Sequence, residues 1–295
     1  MRYPLLPLLT GLALTVLIAS CHQTDINGNN DLYNQNDATI KTYASQKAYK
    51  GYLLASGLYF YKTDSVAGSK KPGIGEEVQF NYKSYNMSTG MVVDSSASTT
   101  PVYYPYGIQS ILSGLEQGLG LMGEGEKAIM LIPSYIGYND RALTNLPAYS
   151  PVRFDVTLVR SRTQDQQIND YISRNNLATP ELSTTGLRLI RTQTNSTGTL
   201  PTNGQTVTIR YAGRTLRSRA AFDSTGTGTF DATLGQGKYV AGFEEGLSKL
   251  RVGEKATIIF PSTLGYGTTG VVQNNAYVIT PYAPLRFDLE VVSVK

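Results

Sequence analysis

The stretch GEKATIIFPSTLGY, residues 253–266, decides the fold, because residues 125–138 carry a near-copy, GEKAIMLIPSYIGY. In both stretches a Gly-Glu-Lys turn leads into an apolar run of strand length, which ends at a proline. Each stretch closes on Gly-Tyr, which indicates an exposed loop. The sequence therefore predicts two copies of one unit made of a turn, a buried strand and a loop.

The repeat extends outward from both stretches at an offset near 128 residues, over almost all of the chain after the N-terminus. Upstream, VQFNYKS from Val78 matches VTIRYAG from Val207, and both alternate as a half-buried strand does. Between these motifs, GLEQGL from Gly114 matches GFEEGL from Gly242 and predicts a short helix. Downstream, both copies end on RFDV or RFDL followed by apolar alternation, which predicts a final strand.

A helix-like spacing precedes each copy, where Asp37, Ile40 and Tyr43 match Asp165, Ile168 and Tyr171. The order of elements predicts an α+β protein with two domains. Each domain is expected to be a curled antiparallel β-sheet wrapped on a short helix, with a small helical segment in front. We expect a signal peptide at residues 1–20, a tether at 21–36, a first domain at 37–162 and a second domain at 163–295.

Composition narrows the possible functions. The 26 basic and 22 acidic residues give a net charge of +4 without a dense Lys/Arg block, so we expect no nucleic-acid partner. Cys21 and His22 are the only Cys and His in the chain. A His-based catalyst or a Cys/His metal site is therefore not expected in the folded part.

The N-terminus has the pattern of an export signal: Arg2, an apolar run over 5–18, and then Ala19-Ser20-Cys21. The residues that end at Cys21 resemble a bacterial lipobox, which implies lipidation of Cys21 and a membrane anchor. The alternative is an ordinary signal peptide with a stray cysteine, but the polar stretch that follows reads as a tether and favours the lipobox. Because residue 22 is not Asp, we expect a periplasm-facing outer-membrane lipoprotein.

The motifs FDS, GFEEGL, GEK, GYG and RFDLE of the second copy resemble, in this order and spacing, the FKBP-type peptidyl-prolyl cis-trans isomerase family. The resemblance spans roughly residues 203–295, and the first copy shows the same skeleton over 74–160 with more departures. It implies a five- or six-stranded antiparallel sheet around a short helix, with an apolar cleft that holds a proline side chain. It implies no cofactor and no metal.

The resemblance also implies the site residues of the second copy. Those with catalytic roles are Tyr211, Asp223, Phe243, Tyr266 and Phe287, and those that bind substrate are Phe222, Phe230, Tyr239, Val240 and Ile279. The Tyr266 hydroxyl and the Val240 N–H would bind substrate carbonyls, while Asp223 would accept a hydrogen bond from Tyr211. Singly, each of these phenylalanines is also a plausible core residue and Asp223 a plausible turn residue. The ordered set favours the cleft.

The first copy keeps only part of this set. A weaker site is implied at Tyr82, Asp94, Ile111, Leu112, Leu115, Tyr138, Leu146 and Phe154. Val93 and Val102 replace two aromatic residues, and Leu115 occupies the position of Phe243. The first copy is thus either a weaker isomerase site or a module retained for binding or spacing.

The acidic residues of the two predicted short helices, Glu116, Glu244 and Glu245, are expected on a solvated helix face.

The chain is expected to be a peptidyl-prolyl cis-trans isomerase that assists the folding of exported proteins and acts mainly through its second domain. Its partners would be proline-containing proteins or peptides. Alternatives are a non-catalytic chaperone that binds extended or proline-containing segments, and a structural lipoprotein of a larger surface complex. The sequence leaves the oligomeric state open.

Overall fold

A computed structural model describes residues 28–97 and 99–295 of the chain. The described residues form two compact units, 28–162 and 163–295, which meet in the sequence at Arg162 and Thr163. The predicted signal peptide and the predicted lipidation site at Cys21 lie outside the described residues.

The first unit contains two helices, seven strands and a short 3-10 turn at Ser134–Ile136. In chain order its helices and strands are α1 (Gly28–Gln46), β1 (Tyr52–Leu53), β2 (Tyr59–Asp64), β3 (Glu77–Asn86), β4 (Val92–Ser95), β5 (Val102–Pro105), α2 (Ser113–Leu121), β6 (Lys127–Ile132) and β7 (Val152–Arg162).

The second unit repeats this order and adds a hairpin, β14–β15. Its elements are α3 (Gln164–Arg174), β8 (Glu181–Leu182), β9 (Arg188–Gln193), β10 (Thr206–Thr215), β11 (Asp223–Ser224), β12 (Phe230–Thr233), α4 (Ala241–Ser248), β13 (Lys255–Phe260), a 3-10 turn (Ser262–Leu264), β14 (Val271–Gln273), β15 (Ala276–Ile279) and β16 (Leu285–Val294).

The two main sheets have the same antiparallel topology, so the predicted α+β class is confirmed. The first has the order β1-β2-β6-β7-β3-β4 with β5 also on β3, and the second the order β8-β9-β13-β16-β10-β11 with β12 also on β10. Each sheet has seven strands, whereas five or six were expected. The number is higher because short strands β1 and β8 extend one edge, and because β4 and β5 pair with different parts of one long strand.

The short helix of each unit lies directly on its sheet, and glycines make this close approach possible. A Cβ atom on Gly118 of α2 would lie 2.2 Å from Met130 Sδ, and one on Gly246 of α4 would lie 2.5 Å from Ile258 Cδ1. Any side chain there would push the helix off the strand. This contact explains the second glycine in GLEQGL and GFEEGL.

The glutamates of the two Gly-Glu-Lys motifs are buried parts of the fold. Glu126 Oε2 accepts a hydrogen bond from Gly123 N–H at 2.7 Å, and Glu254 Oε2 accepts one from Arg251 N–H at 2.9 Å. Burial alone would raise the pKa of both carboxyl groups, but these hydrogen bonds, with Lys62 beside Glu126, hold it below its usual value. The motif therefore fastens the turn before β6 or β13.

Both helical segments in front of the sheets are present, but the first is longer than predicted. Helix α3 begins with a capping box in which Thr163 and Gln166 exchange hydrogen bonds. Helix α1 begins at Gly28, so the prediction of a tether over 21–36 is wrong for its last nine residues. The reason is Asn36, which is buried, accepts from Ser134 N–H at 2.7 Å and donates to Tyr149 O at 2.9 Å. The polar composition of this segment therefore reflects hydrogen bonds to the rest of the first unit.

Candidate functional site

Six predicted site residues of the second unit form one group of rings, here called the aromatic cluster. Its members are Tyr211, Phe222, Phe230, Tyr239, Phe243 and Phe287. They come from strands β10, β12 and β16, from helix α4 and from the segments just before β11 and α4. Antiparallel pairing of β10 with β16 places Tyr211 and Phe287 on neighbouring strands. The cluster therefore depends on the whole sheet.

Phe243 lies at the centre of the aromatic cluster and is completely buried. Its ring centroid is 5.2 Å from that of Phe287, 5.6 Å from that of Tyr211 and 5.7 Å from that of Tyr239. The rings of Phe287 and Tyr211 meet it at steep angles of 63° and 74°, the edge-to-face geometry that aromatic pairs prefer. Phe243 forms the floor of the cluster, as the resemblance implied.

The outer rings of the aromatic cluster stay partly accessible. Phe222, Phe230 and Tyr239 are half-buried, while Phe243 and Phe287 are fully covered. Phe222 stands edge-on to Phe287 with centroids 5.7 Å apart, and Phe230 is 5.9 Å from both Tyr211 and Tyr239. The cluster thus presents apolar ring surface to a ligand while its floor is fixed.

The two tyrosine–aspartate pairs expected from the repeat are present. Tyr211 Oη donates to Asp223 Oδ2 at 2.7 Å, and Tyr82 Oη donates to Asp94 Oδ2 at 2.6 Å. Burial, reinforced by the aspartate, raises the pKa of each tyrosine well above its usual value. Both hydroxyls therefore remain protonated donors, and they fix one wall of each site.

Two polar groups at the rim of the aromatic cluster are available to a ligand. Tyr266 follows the 3-10 turn and is half-buried, and its hydroxyl makes no hydrogen bond with any residue in the described ranges. The N–H of Val240, just before α4, likewise donates to no described residue. Burial and the charge of Asp223 raise the pKa of Tyr266, which keeps its hydroxyl a donor. Ile279 is buried in the same core.

The first unit has the same scaffold with fewer rings. Tyr82 and Phe154 are in contact at 5.5 Å, but Leu115 is buried at the position of Phe243. Val93 and Val102 are half-buried where the second unit has Phe222 and Phe230. The remaining predicted residues also belong to this core: Leu146 is buried, and Ile111, Leu112 and Tyr138 are half-buried against it.

The prediction of a solvated helix face at Glu116 is wrong, because its side chain is 7% exposed. One carboxylate oxygen, Oε1, accepts hydrogen bonds from Gly107 N–H at 2.7 Å, Gln109 N–H at 3.3 Å and Tyr104 Oη at 3.0 Å. Burial raises the pKa of Tyr104 to about 12, so this hydroxyl is a permanent donor. Glu116 therefore fixes the loop that carries Ile111 and Leu112.

The acidic residues of α4 are not a solvated face either. Glu244 and Glu245 are half-buried, and Glu245 binds Thr185 and Lys249. Glu244 Oε1 is buried with no hydrogen-bond partner among the described residues. Ala232 stands in the second unit where the first has Tyr104, so the donor that serves Glu116 is missing.

Sequence reasoning missed two residues that shape the aromatic cluster. Phe260 of β13 stacks on Phe287 with centroids 5.8 Å apart and an angle of 11°. Gly213 of β10 lies against both rings of the wall: a Cβ there would be 2.7 Å from Phe287 Cε1 and 2.8 Å from Phe222 Cζ. A glycine inside a strand pattern signals such a close approach, and that signal was present in VTIRYAG.

Residues 68–159 and 198–292, which together make up more than half of the chain, match the FKBP-type peptidyl-prolyl cis-trans isomerases. The chain belongs to this family. The matched ranges contain the aromatic cluster and its counterpart in the first unit, so the resemblance seen in the motifs is confirmed.

Similar members of the family differ in length from this chain. The Homo sapiens peptidyl-prolyl cis-trans isomerase FKBP9 is 26% identical over 223 residues, which are 75% of this chain and 35% of that protein. The Drosophila melanogaster isomerase Fkbp12 is 34% identical over 112 residues, 37% of this chain and 99% of that protein. Among solved structures, the three FKBP domains of wheat FKBP73 align with a TM-score of 0.38 and 18% identity, covering 82% of this chain and 96% of that one.

The chain thus spans about a third of the length of the FKBP9 proteins it matches. Among the helices of residues 28–97 and 99–295, none has the length and apolar character needed to cross a membrane.

Proposed function

We propose that this chain catalyses cis-trans isomerisation of prolyl peptide bonds, mainly at the aromatic cluster of the second unit. The observation that carries the proposal is the cluster itself: a buried floor at Phe243, half-buried outer rings and two available polar groups at the rim. Family membership supports the reaction type, and the differences between the two units support the choice of site.

The reaction explains why an apolar site suffices. Rotation about a prolyl bond must break amide resonance, with a barrier of roughly 18–20 kcal/mol and uncatalysed times of tens of seconds. No covalent bond is made or cleaved. The planar amide carries a charge separation that water stabilises, and the twisted amide has lost it. Apolar rings around the bond therefore disfavour the planar state relative to the twisted one.

The polar groups at the rim position the substrate. The Tyr266 hydroxyl donates to one substrate carbonyl and the Val240 N–H to a second, so that the prolyl ring lies against the aromatic cluster. Asp223, held by Tyr211, keeps the wall next to this ring in place. Positioning of this kind lowers the barrier, because the entropy cost of holding the substrate in an orientation close to the twisted geometry is met on binding.

The test compares the same change in both units of the full chain. Tyr266→Phe removes one hydroxyl that has no protein partner, so the fold should be kept. Loss of one hydrogen bond worth about 1 kcal/mol corresponds to a roughly fivefold lower kcat/KM. The assay is catalysis of a proline-limited refolding reaction, together with isomerisation of short prolyl peptides. Tyr138→Phe in the first unit is the matched control and should change the rate by much less.

A second variant, Phe243→Leu, gives the second unit the floor of the first. It removes three ring contacts, so we expect a further loss of activity with the fold kept, as the first unit folds with Leu115. The proposal is contradicted if Tyr266→Phe and Phe243→Leu leave both rates unchanged. An equal loss in Tyr138→Phe would contradict the assignment to the second unit.

We further propose that the chain is anchored by lipid at Cys21 in the outer membrane, faces the periplasm and acts there on exported proteins. The lipobox-like Ala19-Ser20-Cys21 supports the anchor. The test is metabolic labelling with an alkyne fatty acid in a Gram-negative host, followed by membrane fractionation. The wild-type chain should carry the label and sediment with membranes, whereas Cys21→Ser should do neither. An unlabelled wild-type chain would exclude the anchor.

One observation favours a second candidate function, the holding of unfolded segments without turnover. The hairpin β14–β15 has exposed Val272, Tyr277 and Val278 and leads directly to Ile279 of the core. Exposed apolar side chains next to a ligand site suit an extended client. A Val272→Ser/Tyr277→Ser variant should then suppress aggregation of a proline-free unfolded client less well, while Tyr266→Phe should not. Equal suppression by both variants would remove this candidate.

A further inference from the structure

A second, chemically different pocket lies in the second unit. It has a volume of about 440 Å³ and is lined by residues of helix α3, of strand β10 with the turn that follows it, and of strand β16. Five of its lining residues are arginines: Arg174, Arg214, Arg217, Arg219 and Arg286. No acidic residue is among the described residues that line it. None of the predicted site residues belongs to it.

Two of these arginines are held firmly at the base of the pocket. Arg286 donates to Asp288 through Nε and NH2 and also to Tyr171 Oη, and Arg214 NH1 donates to Asp288 Oδ2 at 2.8 Å. Arg214 Nε in addition donates to Arg219 O at 3.1 Å, which ties the turn to the strand. One carboxylate thus orients two guanidinium groups and leaves an excess of positive charge.

The other arginines are exposed at the rim. Arg174 lies at the end of α3, where its Nε donates to Asp170 O at 3.1 Å, and Arg219 lies on the turn and donates to no described residue. Arg217, on the same turn, is engaged by a further contact. Arginines from the helix and from the turn therefore face one space above the Arg214–Arg286 base.

The first unit shows which part of this arrangement the fold requires. There, Arg153 donates to Asp155 at 2.7 Å and to Tyr43 Oη at 3.3 Å, so the frame of Arg286, Asp288 and Tyr171 is repeated. The other positions differ. The residues equivalent to Arg174, Arg214, Arg217 and Arg219 are Gln46, Tyr85, Ser88 and Gly90.

In the first unit the residue next to Arg153 in the sheet, Tyr85, stacks against its guanidinium at 5.1 Å. At the same register the second unit places Arg214 beside Arg286. The Tyr171 ring lies 5.7 Å from the Arg286 guanidinium, and both arginines share the carboxylate of Asp288. One carboxylate balances the charge of only one guanidinium group, so the pair keeps an excess of positive charge. Together with the exposed Arg174 and Arg219, this excess makes the pocket suited to an anionic ligand.

We propose that this arginine pocket binds a ligand with two or more phosphate groups. Guanidinium groups bind phosphate oxygens in a bidentate geometry and stay charged at every physiological pH, so arginine clusters recognise phosphate. Arginines on three elements around a space of about 440 Å³ exceed what one phosphate ion can contact. The ligand is either a soluble polyphosphorylated compound or the phosphate-bearing headgroup of a lipid.

The test is a calorimetric titration of the full chain with inorganic tripolyphosphate. The double variant Arg174→Gln/Arg219→Gln removes two exposed guanidinium groups that support no strand, so it should fold. We expect saturable binding to the wild-type chain, weakened tenfold or more in this variant. The matched control is Arg210→Gln, an exposed position on the same strand β10 whose partner is Glu290, outside the pocket. It should weaken binding less than twofold.

A second arm distinguishes the source of the phosphate. Vesicles of phosphatidylcholine with cardiolipin, a lipid with two phosphate groups, are compared with vesicles of phosphatidylcholine alone, for the wild-type chain and the double variant. Capture by the first vesicles only, lost in the double variant, assigns a lipid headgroup, and tripolyphosphate binding without capture assigns a soluble compound. The proposal is overturned if the wild-type chain binds neither probe, or if Arg210→Gln weakens binding as much as the double variant.

The outcome is independent of the isomerase proposal. The arginine pocket shares no residue with the aromatic cluster, so the double variant should keep the refolding activity of the wild-type chain. Loss of phosphate binding with activity unchanged separates the two sites.

Discussion

Gly213→Ala is expected to disable the aromatic cluster without changing any residue of it. Gly213 lies in the middle of β10, opposite Phe287 of β16, in a backbone conformation that alanine can adopt. The added Cβ would stand 2.7 Å from Phe287 Cε1 and 2.8 Å from Phe222 Cζ, where carbon atoms prefer about 3.5–4.0 Å. Both contacts must be relieved, and the ring that can turn away moves furthest.

The neighbours of the two rings decide which one moves. Phe287 is fully buried between Phe243 and Phe260, with centroids 5.2 and 5.8 Å away, and has no free space. Phe222 is half-buried and can turn outward. Overpacking costs about 1–3 kcal/mol. The outward turn of Phe222 relieves one contact, but the contact with Phe287 stays strained, so we expect a loss of about 2 kcal/mol in the free energy of unfolding.

The effect on catalysis should be no larger in free energy than the effect on stability. An outward turn of Phe222 removes one wall of the site, and a lost aromatic contact of about 0.5–1.5 kcal/mol corresponds to a roughly two- to tenfold lower kcat/KM. The assays are isomerisation of a prolyl peptide and urea unfolding. In a Phe222→Ala background the same Gly213→Ala change should lower activity by less than in the wild-type chain, because one of the two rings that it displaces is absent. An equal loss in both backgrounds would refute the reasoning.

Two further predictions concern the buried carboxylates and the first unit. The lowered pKa values of Glu126 and Glu254 mean that each group stabilises the fold above the usual carboxyl pKa of 4.5, and that this contribution is lost as the pH falls through the lowered value. Urea unfolding between pH 7 and pH 3 should therefore show a weaker loss of stability on acidification in Glu126→Gln and Glu254→Gln than in the wild-type chain, and an unchanged slope would contradict this. In the first unit, Ser84 stands at the position that Gly213 has in the second unit, so Val93→Phe alone should lower the free energy of unfolding without raising activity. The double variant Ser84→Gly/Val93→Phe should raise activity. Activity is measured in a chain whose second site is disabled by Phe243→Leu. A gain from Val93→Phe alone would show that Ser84 is no obstacle.

The sequence alone predicts the parts of the site that repeated spacing determines. Tyr211 and Asp223 are twelve residues apart in both copies, and a strand, a turn and a second strand of this length bring the two side chains together. The burial of Phe243, the floor residue, is predictable in the same way, because helix α4 must place its apolar face on the sheet. These contacts follow from local geometry and from one pairing of strands.

Contacts that the repeated spacing does not encode could not be predicted in this way. The clearance around Gly213 depends on Phe287, which reaches it only through the register of β10 with β16. The burial of Glu116 depends on Tyr104, a hydroxyl on another strand that supplies a hydrogen bond to it. Helical periodicity assigns a glutamate to the polar face of a helix, because the periodicity of one segment contains no information about donors on another strand. The extension of α1 into the predicted tether has the same origin in Asn36.

The differences between the two units come in coupled pairs of positions, and in the first unit these are 84 with 93 and 104 with 116. A site that has merely lost its function would leave unpaired polar atoms, since a buried group without a partner costs about 1–3 kcal/mol. At these positions the first unit is satisfied: Ser84 Oγ donates to Asp94 O at 3.1 Å, and Glu116 has three donors. In the second unit Glu244, the counterpart of Glu116, has a buried oxygen without a hydrogen-bond partner among the described residues. At positions 84 and 116 the first unit therefore keeps its polar groups paired, and the ring at position 93 can be restored only if position 84 changes with it.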